Sequence, residues 1–225
     1  MLRELVEDVL GSVLPLRCPG CGSVGEAAIC RQCSARLRPA PVAAPPASVD
    51  WWTSCFAYEG VAREVVARAK YRGERAAVRE LACRLAIATK ERAPHHVDVV
   101  TWPPASRARY ARSGVDHAAV LARAIAREMQ VPARAYLRRL DNMPQTGRDA
   151  ASRRLGPRLR LARSPSGLAV LVVDDVATTG GTLAAAARVL RANGACSVLA
   201  ATIARTPRPG RVGSIVAYTP ATTPS

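Results

Sequence analysis

The stretch LAVLVVDDVATTGGTLAAAARVLRANGA, residues 168–195, limits the fold more than any other part of the chain. Its opening run of six apolar residues does not alternate, so it suits a strand buried on both faces of a parallel sheet. Two acids follow, then a Thr/Gly turn, then an Ala-rich amphipathic helix stopped by Gly194. CSVLAATIAR, residues 196–205, supplies the next strand.

The same alternation runs through the preceding residues. WWTSCFAY (51–58) and VDVVTW (97–102) predict strands, and residues 61–93 carry helical spacing with a break near Gly73. DHAAVLARAIAREM (116–129) predicts a helix, ARAYLRRL (133–140) a strand, DAASRRL (149–155) a short helix and SIVAY (214–218) a last strand. Strands separated by helices predict an α/β fold with a doubly wound parallel sheet. Such a sheet takes its ligands at the C-terminal ends of its strands.

The apolar run ends at Val173, so Asp174 and Asp175 are predicted at a ligand-facing strand end. Neighbouring carboxylates repel unless a cation or hydroxyl donors compensate, and a ribose offers two vicinal hydroxyls. Ala177, Thr178, Thr179, Gly180, Gly181 and Thr182 lead into a helix N-terminus, where free backbone N–H groups favour an anion. Together these residues describe a ribose 5-phosphate site. GxxxxGK[ST] is absent, and no GxGxxG follows a strand here. The competing assignment makes Asp175 or Thr178 a simple helix cap, which leaves the paired acids and the Thr/Gly run unexplained.

Four of the seven cysteines, Cys18, Cys21, Cys30 and Cys33, form two CxxC pairs in CPGCGSVGEAAICRQC. That spacing suits a compact zinc ribbon or knuckle with all four positions filled by thiolates, hence a structural rather than a catalytic ion. The alternative is disulfides or redox dithiols. The N-terminal stretch lacks the basic start and unbroken apolar centre of a signal peptide, which argues against disulfides and predicts a cytoplasmic protein. Cys55, Cys83 and Cys196 lie among apolar residues and are predicted as core. A Pro/Ala-rich stretch, residues 39–49, predicts a linker between an N-terminal unit (1–38) and the remainder (50–225).

The formal net charge is +16, and among the cationic residues only Lys70 and Lys90 are lysine. This excess suits polyanions or phosphorylated small molecules, while a bias toward Ala and Arg accounts for part of it. Aromatic residues at 4% argue against a surface built to stack single-stranded bases. No apolar run is long enough to insert in a membrane.

VVDDVATTGG closely resembles the phosphoribosyl pyrophosphate signature of type I phosphoribosyltransferases. The four-cysteine knuckle, KYRG at 70–73, VTWPPASRARYARSGVDHAAVLARAIA, QTGRDAASRR and VDDVATTGGT, in that order, resemble the ComF family (ComFC/GntX-like). These are phosphoribosyltransferase-like proteins associated with natural competence, and the likeness runs from about residue 1 to 205. The middle block departs from the family, since Ser113 stands before Gly114 where an Arg is usual, with Arg112 one place earlier.

The resemblance implies a type I phosphoribosyltransferase-like fold over residues 50–225. Asp174 and Asp175 would contact the ribose hydroxyls, and Ala177–Thr182 would wrap the 5-phosphate. Mg²⁺ would accompany phosphoribosyl pyrophosphate. Trp102, Pro103, Pro104, Ala105 and Ser106 would form a pyrophosphate loop, with Arg107, Arg109 or Arg112 supplying charge, although these arginines also suit a plain solvated face. Lys70, Tyr71, Arg72 and Gly73 would belong to a hood over the acceptor, although Lys70 also suits helix capping. Asp116 is predicted as an N-cap, His117 as a first-turn surface residue, and His95 and His96 as loop. Two functions follow: phosphoribosyl transfer to an unidentified acceptor, or a non-catalytic accessory role in which knuckle and basic surface bind single-stranded DNA or competence proteins.

Overall fold

The computed structural model describes residues 16–71, 75–140 and 156–207. Its centre is a four-stranded parallel sheet ordered β3-β8-β7-β4, from β3 (Trp51–Ala57), β4 (Val99–Thr101), β7 (Ala169–Ala177) and β8 (Ser197–Arg205). The two central strands are apolar on both faces, and Val170, Leu171, Val172, Val198, Leu199 and Ala200 are fully buried. Leu171, Val173, Leu199 and Ala201 pack toward α2 (Gly60–Tyr71), α3 (Arg75–Arg92) and α5 (His117–Met129). Val170, Val172, Val198 and Ala200 pack on the other side against Leu183, Ala186 and Leu190 of α6 (Gly181–Ala192). Helices on both faces make the sheet doubly wound. Each large side chain buried this way contributes about 1.5–3 kcal/mol.

Local chemistry sets the helix limits. Asp116 caps α5 by accepting from the Ala119 amide at 3.3 Å, and Gln130 ends that helix in the left-handed region at φ 61°. Ala118, Ala119, Leu121, Ala122, Ile125 and Ala126 supply its buried stripe, and the alanines let it lie close to α3. The expected strand at 133–140 is shorter, β5 (Leu137–Arg139), and pairs antiparallel with β6 (Leu159–Leu161) in a separate small sheet. A seven-residue helix without a buried residue, α4 (Arg107–Ser113), was not expected. The predicted helix at 149–155 and strand at 214–218 lie outside the described residues.

The N-terminal unit joins the main core. A short antiparallel pair, β1 (Leu16–Arg17) with β2 (Val24–Gly25), precedes α1 (Arg31–Ala35). Cys18, Ile29, Cys33 and Leu37 belong to the same apolar cluster as the sheet and α2, α3 and α5. The Pro/Ala stretch is strapped to the sheet edge. The Ala57 amide donates to the Arg38 carbonyl at 2.9 Å and the Ala40 amide to the Cys55 carbonyl at 3.0 Å. Cys55 is buried, and desolvation pushes its thiol up to about 12. Cys83 is only half-buried and Cys196 is exposed, which corrects their placement in the core: Cys196 sits in the turn before β8.

Candidate active site and metal centre

Chain direction locates the crevice. Beyond β4, on the side away from β7, lies the segment 132–134: Ala133 bridges Val100 in parallel, and the Val100 amide donates to the Pro132 carbonyl at 2.9 Å. After β4 the chain therefore moves outward, whereas after β7 it moves inward to β8. Ligands of doubly wound sheets bind at such a reversal, beyond the C-terminal strand ends. The residues found there are the turn after β4 and the turn after β7.

The turn after β7 is Thr178–Gly180. The strand itself continues past Val173, because β8 keeps pairing with it as far as Ala177 opposite Arg205. Asp174 and Asp175 are thus inside the ladder and half-buried, not beyond its end. Asp174 Oδ1 accepts from the Asp175 amide at 2.9 Å, and Asp175 Oδ1 from the Val176 amide at 2.6 Å. Asp175 lines a cavity of about 40 Å³ with Val66, Ala69, Leu81, His117 and Ile203; Asp174 does not. The two carboxylates therefore meet different surroundings.

Thr178 and Thr179 are exposed, Ala177, Gly180 and Gly181 buried, and Thr182 half-buried. Gly180 is the N-cap of α6 at φ 77° and makes no side-chain cap bond, so neither Asp175 nor Thr178 caps this helix. Thr179 Oγ1 accepts from the Gly181 amide at 3.3 Å. A side chain at Gly180 would sit 2.8 Å from Pro46 Cγ of the strap, and one at Gly156 would collide with the Gly181 carbonyl. Such close approach on both sides leaves room for glycine only.

The turn after β4 is held from within. Trp102 and Pro103 are buried, and Arg123 lies 5.3 Å over the Trp102 ring. Pro104, Ala105 and Ser106 are half-buried. Asp116 Oδ2 accepts from the Ala105 amide at 3.3 Å and Arg139 donates to the Pro104 carbonyl at 3.4 Å. Ser106 caps α4, which carries Arg107, Arg109 and Arg112 on its exposed surface. Ser113 turns its hydroxyl onto the Arg109 and Val115 carbonyls, and Gly114 ends the helix at φ 66°. Of the hood residues, Lys70 and Tyr71 close α2, and Arg72 and Gly73 lie outside the described residues.

His117 is a further residue that sequence reasoning misplaced. It is half-buried beside Asp175, because the start of α5 tucks against α2 and α3. Its first-turn position beside the Asp116 cap was visible, but the helix pattern could not say which neighbours cover it.

The cysteines form a second centre. The sulfurs of Cys18, Cys21, Cys30 and Cys33 all lie within 4.8 Å of one another, with Cys21 and Cys30 3.7 Å apart. A tetrahedral zinc ion with bonds of about 2.3 Å holds its sulfurs about 3.8 Å apart, so the set fits the ion. The Cys18 and Cys30 sulfurs accept from the Cys30 and Cys33 amides at 3.4 and 3.5 Å. Hydrogen bonding by Ser23 brings the Cys21 thiol down to about 6, and the Cys33 amide lowers Cys30, whereas burial pushes Cys33 up. Four protein ligands leave no position for water.

Residues 115–219 match the phosphoribosyl transferase domain family. The chain is 28% identical over 210 residues to Competence protein ComFC of Bacillus subtilis (strain 168), an alignment covering 90% of this chain and 82% of that one. Among solved structures it is similar to the glutamine phosphoribosylpyrophosphate amidotransferase from B. subtilis (23% identity, TM-score 0.40), covering 57% of this chain and 26% of that one. It therefore spans about a quarter of that relative's length. A purine phosphoribosyltransferase from Pyrococcus horikoshii is 18% identical with a TM-score of 0.38, over 60% of this chain and 78% of that one. Overlaps this partial decide nothing about activity. Residues 115–219 thus share a phosphoribosyl transferase domain with the family they match, and along most of its length the chain is similar to ComFC.

Proposed function

We propose that the protein binds phosphoribosyl pyrophosphate in the crevice between the turns after β4 and β7 and transfers phosphoribosyl to an acceptor. The observation that carries this is the glycine-only turn at Gly180, where the N-cap has no side chain and the Thr179 hydroxyl meets the Gly181 amide, set at the strand reversal directly after two half-buried acids. Backbone amides of Thr178–Thr182 hold the 5-phosphate, and the exposed Thr178 and Thr179 hydroxyls add donors. Asp174 and Asp175 orient the ribose hydroxyls. Their carboxylate oxygens are hard donors of the kind Mg²⁺ takes, and Mg²⁺, when bound with the substrate, supplies neutralising charge to the departing pyrophosphate. Pro104–Ser106 and an arginine of α4 bind the pyrophosphate. Breaking the bond at ribose C1 requires positioning and charge stabilisation rather than a protein nucleophile. Lys70–Gly73 cover the acceptor, and zinc on the four cysteines maintains the N-terminal unit. The similarity to ComFC supports a cytoplasmic role in natural competence.

Turnover tests this directly. With Mg²⁺ and phosphoribosyl pyrophosphate, one acceptor among purine and pyrimidine bases, amines and ammonia should provoke pyrophosphate release. Bound substrate with no release under any acceptor would contradict catalysis.

A second function is favoured by α4, which exposes Arg107, Arg109, Arg112 and Tyr110 and buries nothing. That surface suits single-stranded DNA or an acidic partner. Phosphate-driven binding must weaken steeply with salt, so an affinity for single strands that stays flat from low to physiological salt would contradict it.

A further inference from the structure

One peptide group in the turn after β4 is gripped from both sides. Pro103 and Pro104 carry no N–H, so the Ala105 amide is the first donor the backbone offers after Trp102. That amide donates to Asp116 Oδ2 at 3.3 Å, and the carbonyl of the same peptide, on Pro104, accepts from Arg139 at 3.4 Å. In a trans peptide the N–H and C=O point in opposite directions, so the two contacts fix the peptide plane between them. They come from different elements, since Asp116 precedes α5 and Arg139 closes β5.

Asp116 has a second attachment. Its Oδ1 accepts from the Ala119 amide at 3.3 Å, and the next residue, His117, lines the cavity that Asp175 also lines. The helix that follows is seated in the core by Leu121, Ala122 and Ile125. One half-buried carboxylate therefore ties the turn after β4 to the helix start beside Asp175. A plain N-cap needs only one of the two oxygens. We propose that Asp116 is a positioning residue for phosphoribosyl transfer, holding the Pro104–Ala105 peptide, with Arg139 as the opposing grip, in the plane that presents this turn to pyrophosphate. The inference rests on the pyrophosphate assignment above. A negative charge close to pyrophosphate is a cost in itself, and positioning is what offsets it: a misplacement of about 1 Å costs about 100-fold in rate.

The experiment compares the full-length, zinc-loaded protein with Asp116→Ser and Asp116→Asn. Ser is a good N-cap with a single short-armed oxygen, and Asn keeps the cap oxygen but turns an amide donor toward the Ala105 N–H, so both should fold with a Tm close to native. Without any ligand, hydrogen exchange followed by NMR should quicken about tenfold at the Ala105 amide and stay unchanged at the Ala119 amide. In calorimetry, phosphoribosyl pyrophosphate with Mg²⁺ should bind about tenfold or more weakly to both variants, whereas ribose 5-phosphate, which lacks the pyrophosphate, should bind all three proteins equally. Unchanged exchange at Ala105 would overturn the grip itself. Faster exchange with equal or tighter binding of phosphoribosyl pyrophosphate would overturn the positioning role and leave the carboxylate as an electrostatic hindrance. Equal weakening of ribose 5-phosphate would overturn it in favour of a general structural role. A native protein that binds neither ligand would contradict the transfer reading, and the role of Asp116 in transfer with it, while exchange at Ala105 still reports separately on the grip.

Discussion

Replacing Gly180 by Ala should destabilise the protein by about 2–4 kcal/mol, for two separable reasons. At φ 77° the backbone is left-handed, which costs a side chain with a Cβ about 1–2 kcal/mol. The new methyl would also stand 2.8 Å from Pro46 Cγ and 3.2 Å from its Cβ, so strap or turn must shift. Overpacking of that kind costs about 1–3 kcal/mol, and the lower entropy of the unfolded Ala chain returns about 0.4–1 kcal/mol. Pro46→Ala removes the nearer atom. In that background the backbone cost and the milder 3.2 Å contact with the remaining Cβ persist, leaving a coupling of about 1–2 kcal/mol between the two positions. Urea unfolding of the native protein, both single variants and the double variant, all zinc-loaded, measures it. An equal cost for Gly180→Ala with and without Pro46 would refute packing of the strap on the turn. No cost at all would refute the left-handed conformation.

Further outcomes follow from the cysteines and from Asp50. Alkylation of the zinc-loaded protein at pH 8 should modify exposed Cys196 early and Cys55 last, since Cys55 is buried with its thiol held near 12; equal rates in the folded protein would contradict this. Removing zinc with a chelator should lower Tm and expose all four knuckle thiols, because Cys18 and Cys33 pack in the main core, and an unchanged Tm would count against a structural ion. Burial raises the Asp50 pKa, but hydrogen bonds from the Val198 amide and Ser197 and the Arg191 charge outweigh it, so the folded value is lowered. The contribution of Asp50 is therefore present above the ordinary carboxylate pKa of about 3.9 and lost as pH falls through the folded value. With His95 also acting on Asp50, the stability gap between native protein and Asp50→Asn should not shrink from about pH 7 to 5 and should close below about pH 4, whereas a gap independent of pH down to acid would contradict the ion pair. Taking the difference cancels acid loss of zinc, common to both proteins.

The parallel sheet was legible because burial on both faces leaves a continuous apolar run at 168–173, and the Asp116 cap because its chemistry is local. The extension of β7 through Asp174 and Asp175 was not legible, since it depends on how far β8 keeps pairing. Docking of the 39–49 stretch uses mainly main-chain hydrogen bonds and proline rings, which leave no periodic signature. α4 buries nothing, so it has no apolar stripe to detect. His117 and Cys196 were misplaced for the same reason: exposure of one residue is set by the element that packs over it, not by its sequence neighbours.

Calorimetric titration of phosphoribosyl pyrophosphate with Mg²⁺ into the zinc-loaded protein tests the central claim most directly, run beside an Asp174→Asn, Asp175→Asn double variant of verified fold. The crevice predicts saturable binding by the native protein and its loss in the variant. Failure of the well-folded native protein to bind, or equal binding by both proteins, would contradict it.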